Sequence, residues 1–408
     1  MRALVVGAGA SGLFAGYSAA VNSNAEVVVV DKNRKAGKKI YITGKGRCNL
    51  TNLCRPRDFL DNVVRNPKFL YSAIFGFSPE DTVSFFEKNG LKLKTERGNR
   101  VFPVSDKASD VTKTLCAVSE RAGVRFRFNT PVEKLLVKDG KIFGATLSGQ
   151  DERFDVVILA CGGMSYPSTG SDGSGFRLAA SVGHDIIAPV PALVGFKAKN
   201  TLALSGLTLK NVNLSYSEKG KALFSQFGEA LFTHEGISGP AALTLSSLTA
   251  RRNVKGARLV FDLKPALDEE ALDRRVLRDF EDNQNKSLGN SLTGLMPKAL
   301  IAYVLEQACL SSEKKVNSVS SEERKSLVRA VKNLSFETEG FCSMDSAIVT
   351  AGGVNVNEIN PKTMESRLVE NLYFCGEMMD VDAFSGGFNL QIAFSTGFLA
   401  GKLKGVKK

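Results

Sequence analysis

The stretch Gly7-Ala8-Gly9-Ala10-Ser11-Gly12 places three glycines at the spacing G-x-G-x-x-G. Such a spacing can hold a pyrophosphate. Gly7 permits a tight turn, Gly9 lets the backbone approach the phosphates, and Gly12 lets a helix pack closely on a sheet. The N–H groups and positive dipole of the helix that follows favour an anion. Asp31 ends the next Val-rich run, where a carboxylate can accept hydrogen bonds from ribose hydroxyls. The motif therefore reads as a dinucleotide site, and by itself it suits NAD as well as FAD.

Three later features select FAD. The loop 37–52 directly follows the ribose strand, where a flavin's diphosphate and ring would extend. Lys38 and Arg47 in it can neutralise phosphate, and Gly44 and Gly46 admit close backbone approach. Next, a buried strand runs into Ala160-Cys161-Gly162-Gly163, a glycine-ended strand beside the nucleotide crevice. Finally, Phe374-Cys375-Gly376-Glu377 precedes Gly386-Gly387-Phe388-Asn389-Leu390-Gln391 at a helix start. A helix N-terminus aimed at the pyrimidine edge of a flavin stabilises negative charge on the reduced ring. An NAD site needs no such late return to the first sheet. A second G-x-G-x-x-G after a strand is missing, because Gly170-Ser171-Asp172-Gly173-Ser174-Gly175 has the wrong spacing. Any NAD(P)H is thus expected as a transient reductant at the flavin face.

Flavin enzymes need few protein groups for the chemistry itself. His234 has a pKa suited to a general base at neutral pH, or it fixes its own Gly- and Pro-bounded loop. Tyr166 lines the flavin pocket or packs as an ordinary tyrosine. Arg100 binds a substrate carboxylate or phosphate, or makes a surface salt bridge. Cys48 lies in the flavin loop without a second Cys at C-x-x-C spacing, which disfavours disulfide reductase chemistry.

Elements that would position these groups follow from the pattern. Residues 2–6, a helix over 10–21 and a strand over 26–31 make a β-α-β unit. Helices are expected over 78–90, behind the cap Ser78-Pro79-Glu80-Asp81, and over 110–122. Strands are expected over 124–128, 132–138, 141–147 and 155–160, with a hairpin at Asp139-Gly140. The chain of 408 residues is long enough for more than one core. We expect an FAD domain over 1–191, an inserted β domain over 192–265 and a helical subdomain over 266–334. Residues 335–408 would return through the β domain to the FAD domain.

Seven scattered cysteines and two histidines suggest neither a disulfide frame nor a metal centre. The net charge of +12 is dispersed, apart from a short basic cluster over 402–408, so a nucleic-acid partner is the less favoured reading. No apolar run reaches the ~20 residues of a membrane span, and the first strand follows Met1 without an export signal. A cytoplasmic location is the default expectation, and the oligomeric state is open.

Four segments carry a resemblance. They are the loop ending Gly46-Arg47-Cys48-Asn49-Leu50-Thr51-Asn52, the stretch from Cys161-Gly162-Gly163 to Thr169-Gly170, the stretch Thr233-His234-Glu235-Gly236-Ile237-Ser238-Gly239-Pro240, and the chain from Val349-Thr350-Ala351-Gly352-Gly353-Val354 through Asn389-Leu390-Gln391. They resemble the bacterial aminoacetone oxidase-like or BaiN-like NAD(P)/FAD-dependent oxidoreductases, over essentially the whole chain. The resemblance implies an α/β fold: a glutathione-reductase-type FAD-binding Rossmann domain built from both chain ends, with an inserted β domain and a small helical subdomain. It implies non-covalent FAD on Gly7, Gly9, Ser11, Gly12, Asp31, Lys32, Lys38, Thr43, Gly44, Arg47, Cys48, Asn49, Thr51, Asn52, Val132, Ala160, Cys161, Gly162, Gly376, Glu377, Gly387, Phe388, Asn389 and Leu390. Cys161 stands where Thr is common, and Phe388 where Tyr is common. The expected activity is an FAD-dependent oxidoreductase acting on a small molecule. Its flavin is reduced by an amine-like substrate or NAD(P)H, and reoxidised by oxygen or a second substrate. The alternative is a flavoprotein that binds RNA and serves tRNA modification.

Overall fold

The computed structural model describes residues 1–403. Lys404, Lys407 and Lys408 of the basic C-terminal cluster lie outside the described residues. Strand β1 (Arg2–Val6), helix α1 (Ala10–Asn22) and strand β2 (Glu26–Val30) form the expected β-α-β unit. With β3 (Arg125–Arg127), β4 (Val156–Leu159) and β5 (Leu372–Phe374) they build one parallel sheet, in the order β5-β4-β1-β2-β3. Its central strands are Val- and Leu-rich and buried, the pattern of a sheet covered on both faces. The sheet thus pairs a strand from the start of the chain with one from near its end, through β4.

Helix α2 (Phe388–Gly401) returns against α1, and two glycines set how near it comes. A Cβ on Gly397 would run into the carbonyl oxygen of Ser11, and one on Gly401 into that of Ala15. Below the crossing, the fully buried Phe14 ring lies 4.7 Å from Phe394, 4.8 Å from Phe85 and 5.2 Å from Phe77. Phe85 and Phe86 come from the helix Pro79–Lys88, which opens with the capping box on Ser78 and Asp81. Residues Asp139 and Gly140, both at positive φ, turn the hairpin between Val132–Lys138 and Lys141–Leu147.

The chain divides into two compact units, one of Met1–Ala192 with the chain from Met344 onward, the other of Leu193–Ser343. The second holds a closed six-stranded antiparallel barrel that includes Thr208–Glu218, Lys221–Phe232 and Leu334–Phe341. The helices Glu269–Glu281, Lys298–Gln307 and Ser321–Lys332 bury Leu272, Leu300, Val304 and Leu327 in the same core as Phe232, Phe261 and Phe336 of the barrel. The stretches 192–265 and 266–334, expected as separate domains, therefore share one core. An amphipathic helix of this kind cannot bury its apolar stripe alone, and the barrel wall is the surface that takes it.

Among the described residues no helix is long and apolar enough to cross a membrane.

Phe14→Ala empties a pocket lined by aromatic rings, so it should cost about 3–5 kcal/mol of stability. The check is the denaturant midpoint at unchanged m-value.

Candidate flavin site

The site is built where α1 begins. Gly7 has φ of +108°, its N–H donates to the Val30 carbonyl at 2.8 Å, and a Cβ there would sit 2.5 Å from the Ala160 oxygen. A Cβ on Gly12 would strike the Gly7 carbonyl oxygen. Gly9 caps α1 without any side-chain cap, and no protein atom lies within 4 Å of where its Cβ would be. The first N–H groups of α1 thus face open space, the arrangement that takes a phosphate. Asp31 Oδ2 accepts from the Ala8 N–H at 2.8 Å and Oδ1 from the Asn33 N–H at 2.7 Å. The carboxylate braces the phosphate turn and keeps lone pairs for a ribose. Lys32 pairs with Asp172 at 2.6 Å and donates to Ser174 Oγ at 3.1 Å.

The loop 37–52 is tied to this turn at its start, where the Gly37 N–H donates to the Ala8 carbonyl at 2.8 Å. Thr43 Oγ1 donates to the Ile40 carbonyl at 2.7 Å. Gly44, Lys45 and Gly46 then all take positive φ, and Cys48 does so again. Arg47 is engaged within the protein. Its guanidinium is taken up by Glu96 and Asp106, at 2.7–2.8 Å to the latter, and lies 4.1 Å over the Phe102 ring. These two carboxylates tie the loop to the segments that carry Glu96 and Asp106. Lys38 is half-buried. Cys48 is fully buried, and burial pushes its thiol up to about 12.

Asn49 Oδ1 and Thr51 Oγ1 are buried and have no hydrogen-bond partner. An orphaned buried polar atom costs about 1–3 kcal/mol, and native chains keep few of them. Two in one loop, beside an uncapped helix, fit a polar ligand that satisfies them. Asn52 Nδ2 bridges the Gly98 carbonyl at 2.9 Å and the Gly386 carbonyl at 3.3 Å, tying the loop to the C-terminal segment.

That segment closes the cradle. Ala160 donates its N–H to Val6 at 2.9 Å. Cys161 Sγ lies 3.5 Å from the same carbonyl, and burial pushes its thiol up to about 12. Gly162 (φ +76°) and Gly376 (φ +68°) hold tight turns, and a Cβ on Gly376 would lie 2.5 Å from Ser11 Oγ. Gly387 (φ +102°) caps α2 with no side-chain cap, and a Cβ there would overlap the Thr51 backbone. Phe388 packs edge-on against Phe59 at 5.1 Å. Asn389 is committed to its own turn, bonding both the N–H and the carbonyl of Ala383. Leu390 and Val132 are half-buried, and Val132 pairs with Leu147.

A cluster that sequence reasoning missed sits next to Gly376. Lys39 Nζ donates to Ser165 Oγ at 2.6 Å and to Glu377 Oε2 at 2.8 Å. Glu377 Oε1 accepts from the Thr350 N–H at 2.7 Å and from Ser165 Oγ at 3.0 Å. Thr350 Oγ1 accepts from the N–H groups of Met164 and Ser165 at 2.8 and 3.0 Å. Glu377 was legible from its Gly-Glu step. Lys39 was hidden by the neighbouring Lys38, since adjacent residues give no sign of which one turns inward.

The three candidate catalytic groups stand as follows. Tyr166 is half-buried at φ +51°, one residue from Ser165. Arg100 is exposed and in register with Asn52, its Nε donating to the Arg97 carbonyl at 3.1 Å. His234 belongs to the second unit, exposed in the turn between Lys221–Phe232 and Gly236–Ser238.

A Rossmann-type sheet with a glycine cradle supplied from both chain ends defines an FAD-dependent oxidoreductase. The chain belongs to the HI0933-like family, whose HI0933-like protein Rossmann domain matches residues 1–403. It is 33% identical over 402 residues to a 3-dehydro-bile acid delta(4,6)-reductase from Clostridium scindens, covering 98% of this chain and 97% of that one. It is 30% identical over 400 residues to a ribosomal RNA dihydrouridine synthase from Escherichia coli, covering 97% and 95%. In fold it is similar to a 3-ketosteroid-delta4-(5alpha)-dehydrogenase from Rhodococcus jostii RHA1, with a TM-score of 0.53 and 15% identity over 98% of this chain and 96% of that one.

Thr51→Val removes an orphaned hydroxyl. It should weaken FAD binding about tenfold in a fluorescence titration, while the flavin-free protein melts no lower than wild type. Burial holds Cys48, Cys161 and Cys375 as thiols, each pushed up to about 12. At pH 8, iodoacetamide followed by peptide mass mapping should label the exposed Cys309 and spare these three.

Proposed function

We propose that this chain is a reductase that takes hydride from NAD(P)H and delivers it to a carbon–carbon double bond conjugated to a carbonyl. When bound, FAD supplies the hydride relay between the two substrates. The carrying observation is the pair of uncapped helix N-termini at Gly9 and Gly387, brought into one cradle by the crossing of α1 and α2. The first suits the pyrophosphate, and the second favours negative charge on a reduced flavin ring. Among the described residues one parallel sheet carries a dinucleotide turn, so the nicotinamide and the acceptor use the flavin in turn.

The reductive direction is supported by the relatives. Reducing a 3-dehydro-bile acid at its delta(4,6) system and turning uridine into dihydrouridine both add hydrogen across an alkene activated by a carbonyl. The ribosomal RNA relative makes uridine-bearing RNA one acceptor class to test. A reductase drawing on the NAD(P)H pool fits a cytoplasmic location.

Anaerobic stopped-flow decides the reading. NADH or NADPH should bleach the flavin absorbance within the dead time or seconds, and amines or amino acids should not. The reduced protein, still without oxygen, should regain its colour with a 4-en-3-one steroid or with ribosomal RNA fragments, and the faster of these names the acceptor class. Bleaching by an amine, with peroxide released on aeration, sinks the reductase reading.

A further inference from the structure

We propose that Lys39 and Glu377 form a balanced charge pair beside the bound flavin, in which each charge keeps the other from shifting the flavin's reduction potential, with Lys39 as a positioning residue that also supplies the compensating positive charge. The pair is wired to the phosphate cradle from both sides. Lys39 lies two residues after Gly37, whose N–H is bonded to Ala8 of the glycine turn. Glu377 follows Gly376, which packs against Ser11 in the first turn of α1. Both groups therefore lie next to residues that pack on the glycine turn.

The pair is held in place rather than solvated freely. Four segments converge on it: the loop at Lys39, the turn at Ser165, the strand Val349–Val354 and the Gly376–Met378 turn. Three donors aim at Glu377: the Lys39 ammonium, the Ser165 hydroxyl and the Thr350 N–H. A Cβ on Gly163 would lie 2.7 Å from Thr350 Cβ and 3.1 Å from Glu377 Cδ, so the absence of a side chain there is what lets the segments close. Among the described residues, the titratable group hydrogen-bonded to Lys39 is Glu377.

Fixed charges in a partly desolvated site act over several ångströms with little screening. Reduction of FAD takes up two electrons and one proton and leaves net negative charge on the ring. A lysine ammonium nearby favours that product, and a carboxylate opposes it. As a balanced pair they largely cancel, and each single neutralisation exposes the other. The inference needs FAD in the site, but neither direction of electron flow, so it stands or falls apart from the reductase reading.

The test is the midpoint potential of the flavin, measured by equilibration with reference dyes, in Lys39→Met, Glu377→Gln and the double variant. Lys39→Met should shift the oxidised-to-reduced equilibrium toward the oxidised form by about tenfold, which is about 30 mV for a two-electron couple. Glu377→Gln should shift it toward the reduced form by a similar factor, and the double variant should return to near wild type. Lys39→Arg, which keeps the charge, should restore the wild-type potential. An ion pair with only a structural role predicts something different: both single variants would bind FAD less well and move the potential alike or not at all. That result, read in Glu377→Gln and Lys39→Arg if Lys39→Met proves too unstable to load, overturns the proposal.

Discussion

The structure depends on how closely two helices from opposite ends of the chain can approach. At the α1–α2 crossing the contact is backbone on backbone. Gly397 lies against the Ser11 carbonyl and Gly401 against that of Ala15, while within the turn that opens α1 Gly12 lies against the carbonyl of Gly7. A carbonyl oxygen cannot rotate aside as a side chain can, so a single methyl at Gly12 or Gly397 has nowhere to go. This spacing carries the uncapped N-terminus of α2 toward the phosphate turn, and the Gly387 cap rests on the Thr51 backbone as a result. The aromatic layer around Phe14 then locks the crossing from below, at ring separations of 4.7–5.2 Å.

The loop 37–52 is the counterpart of that rigid crossing. It is drawn into shape by local costs. Left-handed residues at Lys45 and Cys48 are unfavourable for side-chain-bearing residues, and Asn49 and Thr51 bury polar atoms with nothing to bond. The long-range pairing of Arg47 with Glu96 and Asp106 pins the outer face of the loop. A loop that keeps strain and unsatisfied atoms while its outer face is pinned is one that a ligand completes.

Much of the fold was legible because it is written in short-range patterns. The Val runs mark a sheet covered on both faces, the glycine spacing marks the turn, and Ser78 with Asp81 marks a helix start. What was not legible depends on partners far along the chain. Arg47 meets acids 49 and 59 residues away, and Lys39 meets one 338 residues away. No local pattern distinguishes Lys38 from Lys39 in a loop without periodicity. The stretches 192–265 and 266–334 differ in texture, yet Leu272 and Phe280 share a core with Phe232 and Phe261. Composition changes at that boundary, but the burial that joins the two depends on tertiary packing.

The Lys39–Glu377 pair brings these strands together. Its side chains are 24% and 20% exposed, a depth at which an ion pair adds little net stability once desolvation and ordering are counted. Three donors arranged around Glu377 hold its side chain in place against Lys39 Nζ at 2.8 Å. Two opposite charges held next to a redox cofactor give the protein a potential it can adjust by moving either one. The chemistry of a flavin belongs to the cofactor, and what the protein controls is how readily it gives electrons up.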